Sequence, residues 1–221
     1  MRNLKSLLIT TTAILALPVA VAAQDWSGLY GGITLGYGLG DANHSFSNLA
    51  PSGNSSPDGI LIGGFMGYAV QNGNTVWGGE IDLEMSSLEG SFVNTTGATS
   101  QGVVQGNWQG SLRGVLGYAG ALGNKPTLYY ATAGWAVGDF DFLGGPSVPV
   151  PPGGGYNERL NGWTAGFGMD MELAPNTVMR AEYRYTDFGT ANGALAPTFP
   201  GVTMPVDVTQ HALRVGIRFN F

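Results

Sequence analysis

Between residues 77 and 86 the chain alternates oily and ionised side chains: Trp77, Ile81, Leu83 and Met85 fall on one parity, and Glu80, Asp82 and Glu84 on the other. Successive side chains of an extended strand point to opposite faces, so this segment demands a sheet with one greasy face and one carboxylate face. The same period returns four more times. Residues 108–118 set Trp108, Leu112, Leu116 and Tyr118 against Gln109, Ser111 and Arg113. Residues 163–173 set Trp163, Ala165, Phe167, Met169, Met171 and Leu173 against Thr164, Asp170, Glu172 and two glycines. Residues 179–185 set Met179, Ala181, Tyr183 and Tyr185 against Arg180, Glu182 and Arg184. The chain ends with Leu213, Val215, Ile217, Phe219 and Phe221 against Arg214, Gly216, Arg218 and Asn220. Weaker alternation over 29–39, 60–70 and 128–137 brings the expected number of strands to eight, an even number as in bacterial membrane barrels.

The connections sort by length. Residues 71–74, 119–126 and 174–177 are short and carry Gly, Asn or Pro, which reads as tight turns. The intervening stretches near 41–58, 88–103, 139–158 and 189–207 are rich in Gly, Pro, Ser, Thr and Asn and are expected to be long loops. Short turns at one end and long loops at the other are the layout of an outer-membrane barrel. Charged residues make up only 11% of the chain, too few for an ordinary water-facing surface.

Alternation alone does not say which face is inside, because a soluble carrier barrel buries the oil and wets the charges. The placement of charge decides for lipid outside. Arg113, Arg180, Arg184, Arg214 and Arg218 all lie within strands, on the polar parity, and are matched by Glu80, Asp82, Glu84, Asp170, Glu172 and Glu182. A buried ion left alone costs several kcal/mol, whereas a hydrogen-bonded network of opposite charges offsets much of that cost, so a narrow lumen suits this set. Arg113 is expected to face the strand of Glu80, Asp82 and Glu84, and Arg180 to face Asp170 or Glu172 across the turn at Pro175. A cation site on the three carboxylates is the competing reading, disfavoured by Arg113 nearby.

Aromatic residues fall at the strand ends. Trp26, Tyr68, Trp77, Tyr118 and Tyr129 lie by the short turns or the N-terminal end, and Tyr37, Trp108, Trp163 and Tyr185 lie by the long stretches, as two interfacial girdles require. The terminal strand would be an aggregation-prone edge in water; pairing with the first strand removes the edge, and lipid demands such closure.

Arg2 and Lys5 precede an apolar run from residue 7 to 17, and small residues follow to Ala23, which reads as a cleavable secretory signal over 1–23 ahead of a barrel over 24–221. Cleavage after Ala22 or Ala23 removes two of the nine basic residues and none of the fifteen acidic ones, so the formal net charge falls from −6 to −8. An acidic exported chain with no basic cluster points away from nucleic acid. Cysteine is absent, so no disulfide holds the fold.

The chemical inventory is thin. His44 and His211 are the two histidines; neither sits in a nucleophile motif, and a structural zinc site needs about four ligands. The triple glycine 153–155 lacks the context of a phosphate loop. No catalysis, cofactor or metal is expected. An eight-stranded barrel has a lumen that its own side chains fill, so a general diffusion pore is not expected either.

Three stretches carry a resemblance: Asp25-Trp26-Ser27-Gly28-Leu29-Tyr30-Gly31-Gly32, then Arg180-Ala181-Glu182-Tyr183-Arg184-Tyr185-Thr186-Asp187-Phe188-Gly189, then Arg214-Val215-Gly216-Ile217-Arg218-Phe219-Asn220-Phe221. With them the mature chain resembles the small outer-membrane β-barrel proteins of alphaproteobacteria, the porin-family or outer-membrane immunogenic proteins. The resemblance implies an all-β, eight-stranded antiparallel up-and-down barrel similar to the transmembrane part of OmpA, set in the outer membrane of a Gram-negative cell. It also implies that Phe219 and Phe221 form the signal read by the barrel-assembly machinery, and that outer-membrane lipid and lipopolysaccharide are the surroundings. Asp170 stands where the family commonly has glutamate. The role implied is envelope integrity and surface contact, with a narrow channel for water, ions or small solutes and a loop-mediated adhesin as the alternatives; the surface ligand stays open.

Overall fold

The computed structural model describes residues 24–46, 52–95, 100–145, 154–195 and 197–221, so the expected signal segment lies outside the described residues. The strands are β1 (Gly28–His44), β2 (Gly53–Ser55), β3 (Asp58–Asn72), β4 (Thr75–Ser86), β5 (Glu89–Asn94), β6 (Ser100–Leu122), β7 (Lys125–Gly145), β8 (Gly155–Ala174), β9 (Thr177–Ala194) and β10 (Thr203–Asn220). Eight long strands form an antiparallel ring, β1-β10-β9-β8-β7-β6-β4-β3, which closes where β3 pairs back onto β1. The expected eight strands therefore become ten segments because two are interrupted. β2 extends the line of β3 past a break at Ser56 and Pro57, and β5 extends that of β4 past Ser87 and Leu88.

Closure joins the two ends of the chain. Tyr30 pairs with Asn220 and the register runs unbroken to His44 opposite Val206, while the Phe221 amide donates to the Leu29 carbonyl at 2.9 Å. No long strand keeps an unpaired edge at this level, which satisfies the backbone without water. The short connections are two-residue turns. Gly73, Gly123 and Asn176 take φ of 61°, 62° and 59°, the left-handed region that glycine and asparagine tolerate. The span 119–126, read from sequence as one turn, is mostly strand, for β6 continues to Leu122 and β7 begins at Lys125.

The stretches expected to be long loops are also strand over much of their length. β6, β7 and β8 run for 23, 21 and 20 residues, about twice what crossing a bilayer requires. Their outer portions escaped the sequence reading because the alternation there has the opposite sense. Over the middle of the barrel the apolar parity points outward, with Ile33 67%, Met85 70% and Leu213 67% exposed, and the ionised parity points in. Beyond the middle, Phe140, Phe142, Leu160, Phe188 and Val208 turn inward, while Asn107, Asp139, Asp141 and Asn157 face out, their amides bonded to the two carboxylates. The switch marks where the medium outside changes from lipid to water.

The lumen is consequently layered. At the short-turn end Trp26, Tyr30, Phe65, Val76, Leu128, Tyr130 and Val178 form one apolar cluster. At the far end Val104, Phe140, Phe142, Leu160, Phe188, Met204 and Val206 form another, capped by Phe199. Ionised residues fill the space between. Inward glycines make room for the larger groups: a methyl added at Gly67 would lie 2.5 Å from the Tyr30 hydroxyl, and one at Gly168 would lie 2.6 Å from that of Tyr130.

Candidate functional site

The middle layer of the lumen gathers five arginines and five carboxylates, and its ion pairs cross the barrel rather than running only between neighbours. β4 and β9 stand four places apart in the eight-membered ring, on opposite walls. Yet Arg180 on β9 reaches Glu80 on β4 at 2.7 Å, and Arg184 reaches Asp82 at 3.0 Å. Arg113 on β6 sits among four partners: Glu80, Asp82 at 3.3 Å, Glu182 at 3.0 Å and the Thr132 hydroxyl at 3.1 Å. Each of Glu80, Asp82, Asp170 and Glu182 bridges two guanidiniums, which ties them and Arg113, Arg180, Arg184 and Arg218 into one network, with the Arg214–Glu84 pair beside it. Asp170 takes a bidentate contact from Arg180 at 2.8 and 2.9 Å and a third bond from Arg218 at 2.9 Å. Glu84 is held by both nitrogens of an Arg214 fork at 2.8 Å and by the Gln109 amide at 2.9 Å. Bidentate forks of this kind are the strong form of the charged hydrogen bond.

Arg113 thus meets Glu80 and Asp82, but Glu84 turns to Arg214, three strands away round the ring. Arg180 takes Asp170, its cross-strand partner in the register, and not Glu172. Glu172 is half-buried nearer the turn and makes no ion pair among the described residues. Glu80 and Asp82 of β4 therefore share Arg113 while Glu84 turns away, and the three carboxylates do not converge on one point.

Aromatic faces brace the arginines from below. Arg180 lies 4.1 Å from the Phe65 ring centre and 5.1 Å from that of Tyr130, and Arg218 lies 3.7 Å over Tyr30 and 5.5 Å from Trp26. Cation–π contacts of this sort are strongest where water is excluded. Tyr30, Phe65, Tyr130, Thr132 and Gln109 were not legible as members of the site, because inward polarity alone does not distinguish a network partner from a filler. Two cavities of about 10 Å³ each touch the network, one among Thr34, Phe65 and the ionised groups and one between Asp82, Gln109, Arg184 and Phe188. Each has room for about one water.

Of the expected girdles, Tyr37, Tyr68, Trp77, Tyr118, Tyr129 and Trp163 point outward, and Trp108 and Tyr185 lie half-buried on the outer wall, Trp108 beneath Arg159 at 5.2 Å. Trp26 is a correction. It is buried inside the short-turn end, its amide bonded to the Gln71 side chain at 2.8 Å, because the segment before β1 folds under the lumen. Trp135, paired with Trp163 and half-exposed, belongs on the outer wall and was missed. Phe219 and Phe221 face outward at the end of β10. His211 is also on the outer wall, 2.7 Å from the Tyr183 hydroxyl, while His44 is buried inside the far rim.

A family described as outer membrane protein beta-barrel domain matches residues 9–221. The 25 kDa outer-membrane immunogenic protein of Brucella abortus is 32% identical over the whole of both chains. The 22 kDa outer membrane protein of Rhizobium leguminosarum is 32% identical over 75% of this chain and 66% of its own. Among solved structures, OprG from Pseudomonas aeruginosa is similar over 86% of this chain and 96% of that one, at 14% identity and a TM-score of 0.48.

Proposed function

Since this chain belongs to the outer-membrane β-barrel family and is an integral protein of that membrane, we propose that it acts as a sealed scaffold that braces the envelope and presents its far rim to the exterior. One observation carries the reading: ion pairs join opposite walls of the lumen, and the cavities beside them are about 10 Å³ each. The five guanidiniums and five carboxylates balance, so the layer has no net charge with which to recruit a mobile ion. Opening a path would mean separating buried partners, which costs about 3–5 kcal/mol for each ion left alone, and removing an apolar cluster at each end.

The exported precursor would lose residues 1–23 and be handed to the barrel-assembly machinery, which would read the β10 terminus at Phe219 and Phe221. The surroundings would be lipid and lipopolysaccharide. The Brucella relatives are named as immunogenic, and the protruding rim is the part of this barrel that an antibody would meet. The scaffold needs no catalytic group, cofactor or nucleic acid.

The full-length protein, folded into planar bilayers, should be electrically silent. Cells deprived of it should become sensitive to detergent. Steady unitary currents that disappear when Glu80 or Arg113 is neutralised would assign the barrel to narrow transport and overturn the scaffold.

A further inference from the structure

The ring is closed by backbone pairing over most of its height, but the far rim contains a seam. Among the described residues β2 pairs with β1 and β5 with β6, plus one register pair, Asp58 opposite Glu89; β2 and β5 do not pair with each other. Side chains hold this seam. Phe92 of β5 lies against Gly53 of β2 and Gly102 of β6 so closely that a methyl at either position would come within 2.1 and 2.4 Å of its ring. The backbone at the Ser56–Pro57 break also lies close over Gly90, where an added methyl would come within 2.5 Å of the Pro57 nitrogen.

Behind the seam lies His44, the last residue of β1 and only 1% exposed. The outward residues of β1 change from Leu39 to Asp41 and Asn43 below it, so it lies beyond the lipid-facing band. Its Nε2 is 2.9 Å from the Ser55 hydroxyl of β2, its ring is 4.9 Å from that of Phe92, and its Nδ1 is buried with no hydrogen-bond partner among the described residues. The elements packed against it offer Ser55 from β2, Phe92 from β5, Gly102 from β6 and Val206 from β10, none of them charged. The acids at this level, Asp41, Asp58, Glu89 and Asp207, are exposed on the outside, two of them occupied by the Tyr37 and Thr190 hydroxyls.

We propose that His44 is a proton-operated latch on the β2–β5 seam: the neutral ring packs under Phe92 and ties β1 to β2, and the protonated ring, with a second N–H and no acceptor for it, must reach water by parting the seam. Burying an ion without a partner is what the closed rim cannot accommodate. Burial holds the imidazole down at about 4, against 6.5 for a free one. The closed rim is thus fully stable above about pH 6.5 and loses stability as pH falls from there toward 4, because only the open form takes the proton. The device would respond to acidification of the medium outside the cell.

Hydrogen exchange of the full-length protein in lipid vesicles, corrected for the intrinsic pH dependence, tests this. Protection of Glu89–Asn94 should fall about twentyfold between pH 7 and pH 5, while residues 108–118 stay protected. In His44→Gln the pH dependence should vanish. Unchanged protection of β5 across that range, or an equal loss in His44→Gln, overturns the latch. Should His44→Gln not fold, His211→Gln leaves His44 as the single imidazole for NMR titration; a midpoint at or above 6.5 then overturns the proposal.

Discussion

The middle of the barrel and its far rim are built from the same strands on opposite plans. In the middle, β7 sends Tyr129 and Trp135 outward and Thr132 toward the ionised lumen; a few residues further on it sends Phe140 and Phe142 inward and Asp139 and Asp141 out. The β7–β8 ladder runs unbroken through both regions and β6 keeps pairing with β7 past a bulge at Asn107, so strand pairing by itself does not set the plan. The solvent outside does. Where lipid surrounds the wall, burial of oil is achieved outward and the interior must be filled by charges that neutralise one another; where water surrounds it, oil collects inside as in a soluble sandwich.

Substitutions that exchange the two plans should separate them. The largest effect is expected for Arg113→Met, which leaves Glu80 and Glu182 without their shared partner in the middle layer and should destabilise the whole barrel by about 3–5 kcal/mol. A lowered urea midpoint in vesicles, with loss of the folded band on unboiled detergent gels, would register it. Leu112→Arg places a charge on the lipid face and should cost about 2–4 kcal/mol, whereas Gln105→Arg, outward on the same strand in the rim, should change stability by under about 0.5 kcal/mol. Equal losses in this pair would abolish the distinction between lipid-facing and water-facing wall. The smallest effect is expected for Glu172→Gln. This carboxylate lies in the lumen but outside the arginine network, so an unfolding midpoint shifted as far as that of Glu182→Gln would mean the network has been drawn too small.

Much of this was legible because lipid-facing strands carry a strong signal. The contrast of Leu83 with Glu84, or of Met179 with Arg180, fixes strand, face and neighbour-to-neighbour spacing at once. The outer thirds of β6–β8 were not legible, since Gly and Asn dilute the alternation and its sense reverses there. Trp26 was misplaced because a tryptophan near an interface and one plugging a barrel end have the same local sequence. Glu172 was grouped with the network on parity alone, and parity says which face a side chain takes, not how far it lies from an arginine.

From its residues alone the chain determined a closed antiparallel barrel with oil toward lipid and balanced charge within, because period two and the cost of a lone buried ion leave few other arrangements. Which arginine meets which carboxylate was decided only by the tertiary structure. The ring brings β4 opposite β9 and Glu84 within reach of Arg214, 130 residues away. The seam at His44 likewise exists only where two interrupted strands end side by side, and that depends on how the ring closes, which no local pattern encodes.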